Sequence, residues 1–444
     1  MILLPAVLQF LLLALIGAAA GALINYGIYA WTYFLKRPIS PWQSPPPQFS
    51  PRQKIHYWPI IGWLSRAPEE AILGKWFWLR PMLIEVAWVI GLPCFFFWQQ
   101  QAGLIGEHLR PQPDSWAGWA ETWFWIHAVL LGLMFIATFI DFDERTIPDA
   151  VTIPGTLFAL VVLTLFPWGR LPEKVSGLAG LTIQPLSYAN GRPIPFSDLQ
   201  PEILLKGASW HTETVGLVLA VGLFLGWTLA LMPKICTLRF GWRRGVRILW
   251  ASCLRPPRKT VCSIRSRQRR PFAQTVGLLV LAVVGAGLIC LVRWCWSEPH
   301  WDSLFGSLFG LGFGGLMIWS IRIVGHLALG REAMGFGDVT LMAMVGAFLG
   351  WQVTLLALPA AAVLALFFVV ATLVFTRDSM LAFGPYLCMG TALVLFSWST
   401  VWPALEPYFA LGEWLFAILI SMLVLMGAML LGLQLVKRVA GYDR

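Results

Sequence analysis

Two short acidic motifs contain the residues of this sequence that could do chemistry. Only 22 of the 444 residues are Asp or Glu, so their positions are informative. Asp141 follows one apolar block, and Asp338 follows Gly335-Phe336-Gly337 and opens another. Two carboxyl groups held close together cannot both ionise at low cost, so one keeps a proton. The ionised group can then take a proton from water while the protonated group polarises a carbonyl, which is peptide hydrolysis by an aspartyl pair.

Four further residues are candidates for supporting roles at this site. Asp143 and Asp149 follow the first aspartate in the same motif, and Gly335 and Gly337 precede the second. Glycine allows a positive φ and a close backbone approach, so an extended substrate is expected to lie against the glycine turn. Ordinary explanations also exist, because Asp338 is suited to capping a helix and acids beside a span are commonly solvated.

The elements that must position these residues are predicted to be membrane-spanning helices. The chain is 58% apolar and 12% charged, whereas soluble domains are about 45–50% apolar and about 25% charged. Its apolar residues form blocks of about 20, the length of a membrane-spanning helix. This pattern excludes an ordinary cytosolic enzyme and a disordered protein, and it argues against a transmembrane β-barrel. The predicted fold class is therefore all-α, a polytopic helical membrane protein.

Eleven apolar blocks are predicted to span the membrane. The block at 339–351 is short for a full crossing, so a half-helix or a buried, kinked helix is expected there. Pro148 disfavours helix at the residue before it, which predicts a break before the fourth span. The predicted spans cover about residues 3–35, 82–99, 119–140, 152–168, 213–232, 274–293, 304–329, 339–351, 353–375, 384–400 and 411–436.

The distribution of Lys and Arg predicts the orientation. Segments 36–80 and 233–272 are strongly basic, whereas the connections at 101–118 and 294–303 carry more acidic than basic residues. The positive-inside rule places the basic segments in the cytoplasm, with the N-terminus outside and the C-terminus inside. Both aspartates then lie at the cytoplasmic membrane boundary. The loop 233–272 is interpreted as a topology determinant that also touches anionic lipid. No nucleic-acid partner is predicted, because no recognised nucleic-acid module accompanies the charge.

Taken together, these motifs resemble those of the type IV prepilin peptidases, bacterial intramembrane aspartyl proteases of the GxGD type. The stretch 330–343 is similar to the second motif of that family, and Asp141-x-Asp143 with Ile147-Pro148-Asp149 is similar to the first. The resemblance covers about residues 20–168 and 303–400. Its other parts are Asn25-Tyr26-Gly27-Ile28-Tyr29, Ser40-Pro41-Trp42-Gln43, Pro59-Ile60-Ile61-Gly62-Trp63-Leu64, Arg80-Pro81-x-x-x-Glu85, Gly350-Trp351 and Phe383-Gly384-Pro385-Tyr386-Leu387.

This resemblance implies a function and its residues. It implies that Asp141 and Asp338 are the catalytic pair and that the chain cleaves the basic leader of prepilins or pseudopilins at the cytoplasmic face of the bacterial inner membrane. It implies no cofactor for proteolysis. Many family members also methylate the new N-terminus with S-adenosylmethionine, so that cofactor is an expectation for this chain if the second activity is retained.

Three departures from the family pattern affect these expectations. Many members carry two C-x-x-C pairs, thought to bind zinc, in the cytoplasmic loop; this chain has no cysteine before Cys94. We therefore predict no metal, and the loss leaves open whether methylation is retained. The two aspartates are also separated by an insertion with two extra spans, an even number that keeps both on one face. Finally, Thr340 stands where a basic residue is common.

The sequence divides into six predicted regions. Residues 1–35 form the first span, 36–81 a cytoplasmic loop region without zinc cysteines, and 82–168 a membrane region with the first aspartate motif. Residues 169–302 form an insertion with an external loop, two extra spans and a basic cytoplasmic loop. A membrane region with the GxGD motif (303–400) and an additional C-terminal span with a tail (401–444) complete the chain.

Two other functions are compatible with the same residues. One is an ion-coupled transporter in which the two aspartates, with His127 and His326, relay ions. The other is a catalytically inactive scaffold of a secretion machine. Transporters usually place ionisable groups near the membrane midplane, whereas Asp141 and Asp338 are predicted at its boundary. The intact pair favours an enzyme over a scaffold.

Overall fold

The computed structural model describes residues 5–32, 39–43, 51–101, 113–171, 214–232, 271–329, 334–375, 382–409 and 413–439. Most of the external loop and of the basic loop predicted from the sequence lies outside these residues. Within them the regular secondary structure is helical and no strand occurs, which confirms the all-α fold class. The long helices are α1 (Ala6–Ala30), α2 (Leu79–Gln101), α3 (Pro113–Glu144), α4 (Asp149–Leu165), α5 (Thr214–Ala230), α6 (Pro271–Cys295), α7 (Glu298–Leu329), α8 (Phe336–Phe375), α9 (Gly384–Phe409) and α10 (Glu413–Val439).

The described helices coincide with the predicted spans. Seven of them are long and apolar enough to cross a membrane, and three shorter apolar helices lie at 149–165, 214–230 and 384–396. Each of the eleven apolar blocks falls on one helix or on one half of α8. The chain is thus a multi-pass membrane protein. The number of eleven crossings stays a prediction, because length and composition alone identify seven.

Helix α3 ends later than the sequence predicted. The span predicted at 119–140 stopped before the acidic motif, but the helix continues to Glu144, so Asp141 lies in its last turn. Arg145 has a φ of 55°, and the next helix starts at Asp149. Pro148 stands directly before that start, which confirms the predicted break. The helix therefore ends a few residues after Asp141 rather than before it.

Helix α8 is two helices that reverse direction at Gly350. A straight helix of 40 residues would be about 60 Å long, twice the roughly 30 Å of a bilayer core. Gly350 breaks it with a φ of 83° and a ψ of 176°. A Cβ atom placed on Gly314 would lie against both the Met342 carbonyl and the Thr354 methyl group. Residues 342 and 354 are therefore close, although twelve residues of straight helix span about 18 Å.

This helical hairpin explains the short block at 339–351. Its first half, 336–349, is about 21 Å long, and every residue from Asp338 to Thr354 is buried, including the turn itself. The second half returns toward the start of α9, where the rings of Phe368 and Tyr386 lie 5.5 Å apart. The expected buried half-helix is confirmed.

Glycines let α7 and the first half of α8 pack backbone to backbone. A Cβ atom on Gly310 would collide with the Gly346 carbonyl, one on Gly346 with the Gly310 carbonyl, and one on Gly314 with the Met342 carbonyl. Small residues at such a spacing are typical of close helix crossings in membranes. The pairs 310/346 and 314/342 also show that the two helices are antiparallel.

The segment between α1 and α2 is tied down by the buried carboxylate of Glu85. Glu85 is 2% exposed and accepts hydrogen bonds from the Ile60 N–H (2.5 Å), the Trp63 indole N–H (2.8 Å) and the Asn25 amide (2.9 Å). Ile60 has a φ of 62°, which is strained for a β-branched residue. The Glu85 contacts hold that conformation in place.

A second polar cluster stabilises the same segment. Glu69 accepts hydrogen bonds from Arg52 and from Arg66, each at 2.7 Å, and the guanidinium of Arg66 lies over the Trp63 and Phe77 rings at 5.3 and 5.5 Å. Burial lowers the pKa of Arg66, and the hydrogen bonds to Glu69 oppose that shift.

Two compact units can be distinguished along the chain. One comprises residues 1–208 and 302–444, and the other comprises 209–301. Both aspartates of the predicted pair belong to the first unit. In the second unit, α5 and α6 pack together where Gly285 leaves room for the Phe224 ring.

We expect Gly350→Ala to destabilise the protein by about 1–3 kcal/mol, because a φ of 83° with a ψ of 176° is accessible almost only to glycine. Thermal unfolding of the purified chain in lipid measures this. Gly432→Ala in α10 is the control, because its new Cβ atom would meet nothing within 4 Å. Equal unfolding temperatures for the two variants would show that the reversal needs no glycine.

Candidate active site

The structure brings Asp141 and Asp338 to one place from two helix ends. Asp141 lies in the last turn of α3 and is 5% exposed; Asp338 lies in the first turn of α8 and is 7% exposed. The charge of Asp141 acts on Asp338, so the two carboxyl groups are within electrostatic range of each other. The buried Cys388 thiol, one turn into α9, lies within range of both.

Each carboxyl group is held by a backbone N–H at the start of a helix. The N–H of Gly384, the first residue of α9, donates to Asp141 Oδ2 at 3.1 Å. The N–H of Gly335, just before α8, donates to Asp338 Oδ2 at 3.2 Å. Such N–H groups have no partner within their own helix. An acid in the first turn that bonds back to the residue preceding the helix is half of a capping box. Asp338 therefore assists capping from inside the first turn, and it is not the N-cap residue that the ordinary explanation expected.

Ile147 fills the space between the two glycines next to the carboxyl groups. It is 4% exposed. Its Cβ atom would lie 2.9 Å from a Cβ atom placed on Gly337, and its Cδ1 atom would lie 2.9 Å from one placed on Gly384. A Cβ atom on Gly384 would also lie 2.5 Å from Asp141 Oδ2. A larger residue at either glycine would push the two aspartate-bearing segments apart.

The structure corrects one expectation about the glycines of the GxGD motif. Among the described residues, positive φ angles occur at Gly74 and Gly350 but not at Gly335 or Gly337. The expected close approach does occur at Gly337, against Ile147. Gly335 contributes its N–H to Asp338 and is exposed. Gly337 leaves room for Ile147, and Gly335 presents its N–H to Asp338. Neither glycine is required by an unusual backbone angle.

Asp143 and Asp149, the other predicted supporting residues, lie outside the carboxyl pair. Arg80, at the start of α2, donates to both oxygens of Asp143 at 2.9 Å, and its guanidinium lies 4.7 Å from the centre of the Phe139 ring. Both partners are about one-third exposed. Asp149 is exposed in the first turn of α4, where a negative charge is favourable. Asp143 thus joins α2 to the end of α3.

Sequence reasoning did not assign a role to Gly384. The stretch Phe383-Gly384-Pro385 was noted only for its resemblance to a later family stretch, with no chemistry attached. Its N–H bond to Asp141 joins positions that are 243 residues apart. No local pattern could have revealed that contact, although a glycine next to a proline before an apolar block was a visible signal of a helix start.

Within the described ranges, no group of three or more His, Cys, Asp or Glu side chains could hold a metal ion. One polar cavity next to Glu85, lined also by Asn25, Trp42 and Trp63, has a volume of about 10 Å³. That is room for about one water molecule and does not fit S-adenosylmethionine.

Comparison with known proteins agrees with the site. Residues 271–370, which include Asp338 but not Asp141, match the family model described as "Type IV leader peptidase family". Several similar proteins are named "Prepilin leader peptidase/N-methyltransferase". One, from Pseudomonas aeruginosa, is 37% identical over 90 residues (18% of this chain, 31% of the relative). A second, from Pseudomonas putida, is 38% identical over 114 residues (25% of this chain, 38% of the relative).

A third, from Escherichia coli, is 28% identical over 192 residues, which cover 43% of this chain and 76% of the relative. The match thus spans only about a third of the first two relatives. No solved structure is significantly similar to the chain. The matching segment contains the GxGD motif, and the structure adds the second aspartate to it. Over residues 271–370 the chain is therefore similar to the type IV leader peptidase family.

Proposed function

We propose that this chain is a membrane aspartyl endopeptidase that cleaves the leader of type IV prepilins or type II secretion pseudopilins. The observation that carries the proposal is the pair itself. Two buried carboxyl groups come from helices that are far apart in the sequence, and each is held through its Oδ2 atom by a backbone N–H. The names of the relatives support the choice of substrate.

The two carboxyl groups act as one unit that holds one proton. The hydrogen bonds to Oδ2 fix each group and leave the Oδ1 atoms to share this proton with a water molecule. The ionised carboxylate takes a proton from the water molecule while the water oxygen attacks the scissile carbonyl carbon. The protonated carboxyl group gives its proton to the carbonyl oxygen. The carboxyl group that took the water proton then donates it to the amide nitrogen, while the other carboxylate takes a proton from a hydroxyl of the tetrahedral intermediate. The carbonyl re-forms, the C–N bond breaks, and the pair again holds one proton.

The geometry favours this function over ion transport. Both aspartates lie at helix ends, one in the last turn of α3 and one in the first turn of α8. His127 is 14 residues before Asp141 on the same helix, which is about 21 Å. A relay would need ionisable groups along the intervening path. We propose that the pair faces the cytoplasmic side of the bacterial inner membrane, with the N-terminus outside and the C-terminus inside.

Methylation of the new N-terminus stays a proposal of lower rank, supported by the relatives' names alone. A direct test is incubation of the lipid-embedded protein with candidate prepilins and S-adenosylmethionine, followed by mass analysis of the mature N-terminus.

Asp141→Asn and Asp338→Asn should each lower the rate of leader cleavage at least about 100-fold, because an amide can neither take up nor share the proton. Cleavage of a purified prepilin in lipid measures this. Asp143→Asn is the matched control, since Asp143 pairs with Arg80 in the same region; its rate should stay within about tenfold of wild type. Full cleavage by either Asp141→Asn or Asp338→Asn would remove the mechanism.

Gly384→Ala should lower the cleavage rate at least about tenfold, because its Cβ atom would lie 2.5 Å from Asp141 Oδ2 and a displacement of about 1 Å can cost about 100-fold. The pH profile of cleavage should change as well, since one carboxyl group of the pair moves. Gly91→Ala in α2 is the control, because its Cβ atom meets nothing within 4 Å. A wild-type rate and pH profile for Gly384→Ala would contradict the positioning role.

Chelators should leave the cleavage rate unchanged, because water is activated by carboxyl groups in this mechanism. The test is cleavage after treatment with a zinc chelator. Inhibition that added zinc reverses would contradict the predicted absence of metal.

A further inference from the structure

The segment 51–78, between α1 and α2, has apolar side chains on its outside. It consists of short helices and turns. Trp58 and Trp76 are 65% and 62% exposed, and five more large side chains of this segment are exposed as well. These five are Ile55, Tyr57, Ile61, Leu64 and Ile72. A loop surrounded by water exposes mainly charged and small polar residues, so this surface is unlike that of a solvated loop.

The charged side chains of the same segment are arranged in the opposite way. Glu69 and its two arginine partners form the buried cluster described above. Glu70 is half-buried and accepts a hydrogen bond from the Trp78 indole N–H at 2.5 Å. Among the charged residues of 51–78, only Lys54 and Lys75 are exposed. The outer surface of the segment therefore combines apolar rings with positive charge.

The contacts of α1 and α2 keep this surface at one face of the membrane. A Cβ atom on Gly17 would collide with the Trp88 carbonyl, and one on Gly21 would lie against Glu85. The two helices are thus adjacent and antiparallel, and the chain between them leaves and re-enters the bilayer at the same face. The hydrogen bonds to Glu85 described above tie the segment to that end of α2.

This face is also the one at which Asp141 lies. Arg80 stands directly after the segment, in the first turn of α2, and pairs with Asp143 in the last turn of α3. Tryptophan and tyrosine rings favour the headgroup level of a bilayer, and lysine side chains reach from there to phosphate groups. The position of the segment and its surface chemistry thus point to the same partner.

We propose that the segment 51–78 docks on the headgroup layer of the membrane that the chain spans. Trp58 and Trp76 insert between the headgroups, and Lys54 and Lys75 bind the phosphates of anionic lipids. Apolar burial and attraction to anionic lipid together are what attach interfacial segments to a bilayer. This docking fixes the depth of the start of α2 and, through Arg80, that of the end of α3.

The test measures whether the exposed tryptophans lie in lipid or in water. p-Acetylphenylalanine replaces Trp58 or Trp76 in the full chain and is coupled to a hydroxylamine nitroxide, which leaves the native cysteines unchanged. Electron paramagnetic resonance in lipid vesicles gives the ratio of nitroxide collisions with oxygen to collisions with a polar nickel chelate. The reference is a label at Thr146, which is exposed just after α3. The ratio at both tryptophan positions should be at least about fivefold higher, because the polar chelate stays in water.

The lipid composition tests the role of the two lysines. The vesicles consist of phosphatidylcholine alone or of an equal mixture with phosphatidylglycerol. The ratio at Trp58 should rise about twofold in the mixture, because anionic lipid attracts the lysines. Lys54→Gln combined with Lys75→Gln should abolish this rise, whereas Lys54→Arg combined with Lys75→Arg should retain it. A label at Val283, exposed on the apolar helix α6, should give a lipid-like ratio in every variant and so controls for insertion.

Three outcomes would overturn the inference. Ratios at Trp58 and Trp76 equal to that at Thr146 would show that the surface faces water. Lipid-like ratios that occur only after an apolar substrate peptide is added would make the surface a peptide site. Lipid-like ratios that are equal in both kinds of vesicle would remove the role of anionic headgroups. The measurement needs no cleavage, so this inference can fail while the proposed peptidase function stands.

Discussion

The site depends on the cost of placing two carboxyl groups close together in a buried position. Ionised side by side, they would repel each other where little water can screen them. The structure meets this cost with two backbone N–H groups, from Gly335 and Gly384, each donated to one carboxyl group. Both donors stand where a helix begins, so they are unpaired otherwise and lie at the positive end of the helix dipole. Three helix ends, of α3, α8 and α9, must therefore converge for the pair to exist.

Close packing without side chains makes that convergence possible. Gly337 and Gly384 allow Ile147 to fill the gap between them, and Gly310, Gly314 and Gly346 bring α7 into backbone contact with the first half of α8. The reversal at Gly350 returns the chain to the level of α9 within a single buried hairpin. Glycines at these positions bury less apolar surface than larger residues would, but they let the backbones pack closely. Because interiors packed at this density transmit small displacements, a shift in one of these helices would also move the carboxyl groups.

Much of this fold could be predicted from the sequence, because apolar blocks of about 20 residues have few alternatives to membrane helices. The two aspartates were also identifiable, since acids are rare in the chain and both adjoin apolar blocks. The hydrogen bond from the Gly384 N–H to Asp141 could not be predicted, because it depends on tertiary packing rather than on local spacing. The sequence did not predict that α3 continues to Glu144, because the apolar pattern ends at residue 140. The helix itself continues through the polar residues that follow. Asp143 was grouped with the pair by proximity in sequence, yet its side chain faces Arg80.

The division into two compact units bears on how such a protein changes over evolutionary time. Residues 209–301 form a unit of their own, while Asp141 and Asp338 both belong to the other unit. The entropy of closing a connection grows only with the logarithm of its length, at about 0.6 kcal/mol for each doubling. A lineage can thus lengthen or shorten this intervening stretch at small thermodynamic cost, provided that whole pairs of crossings are gained or lost together.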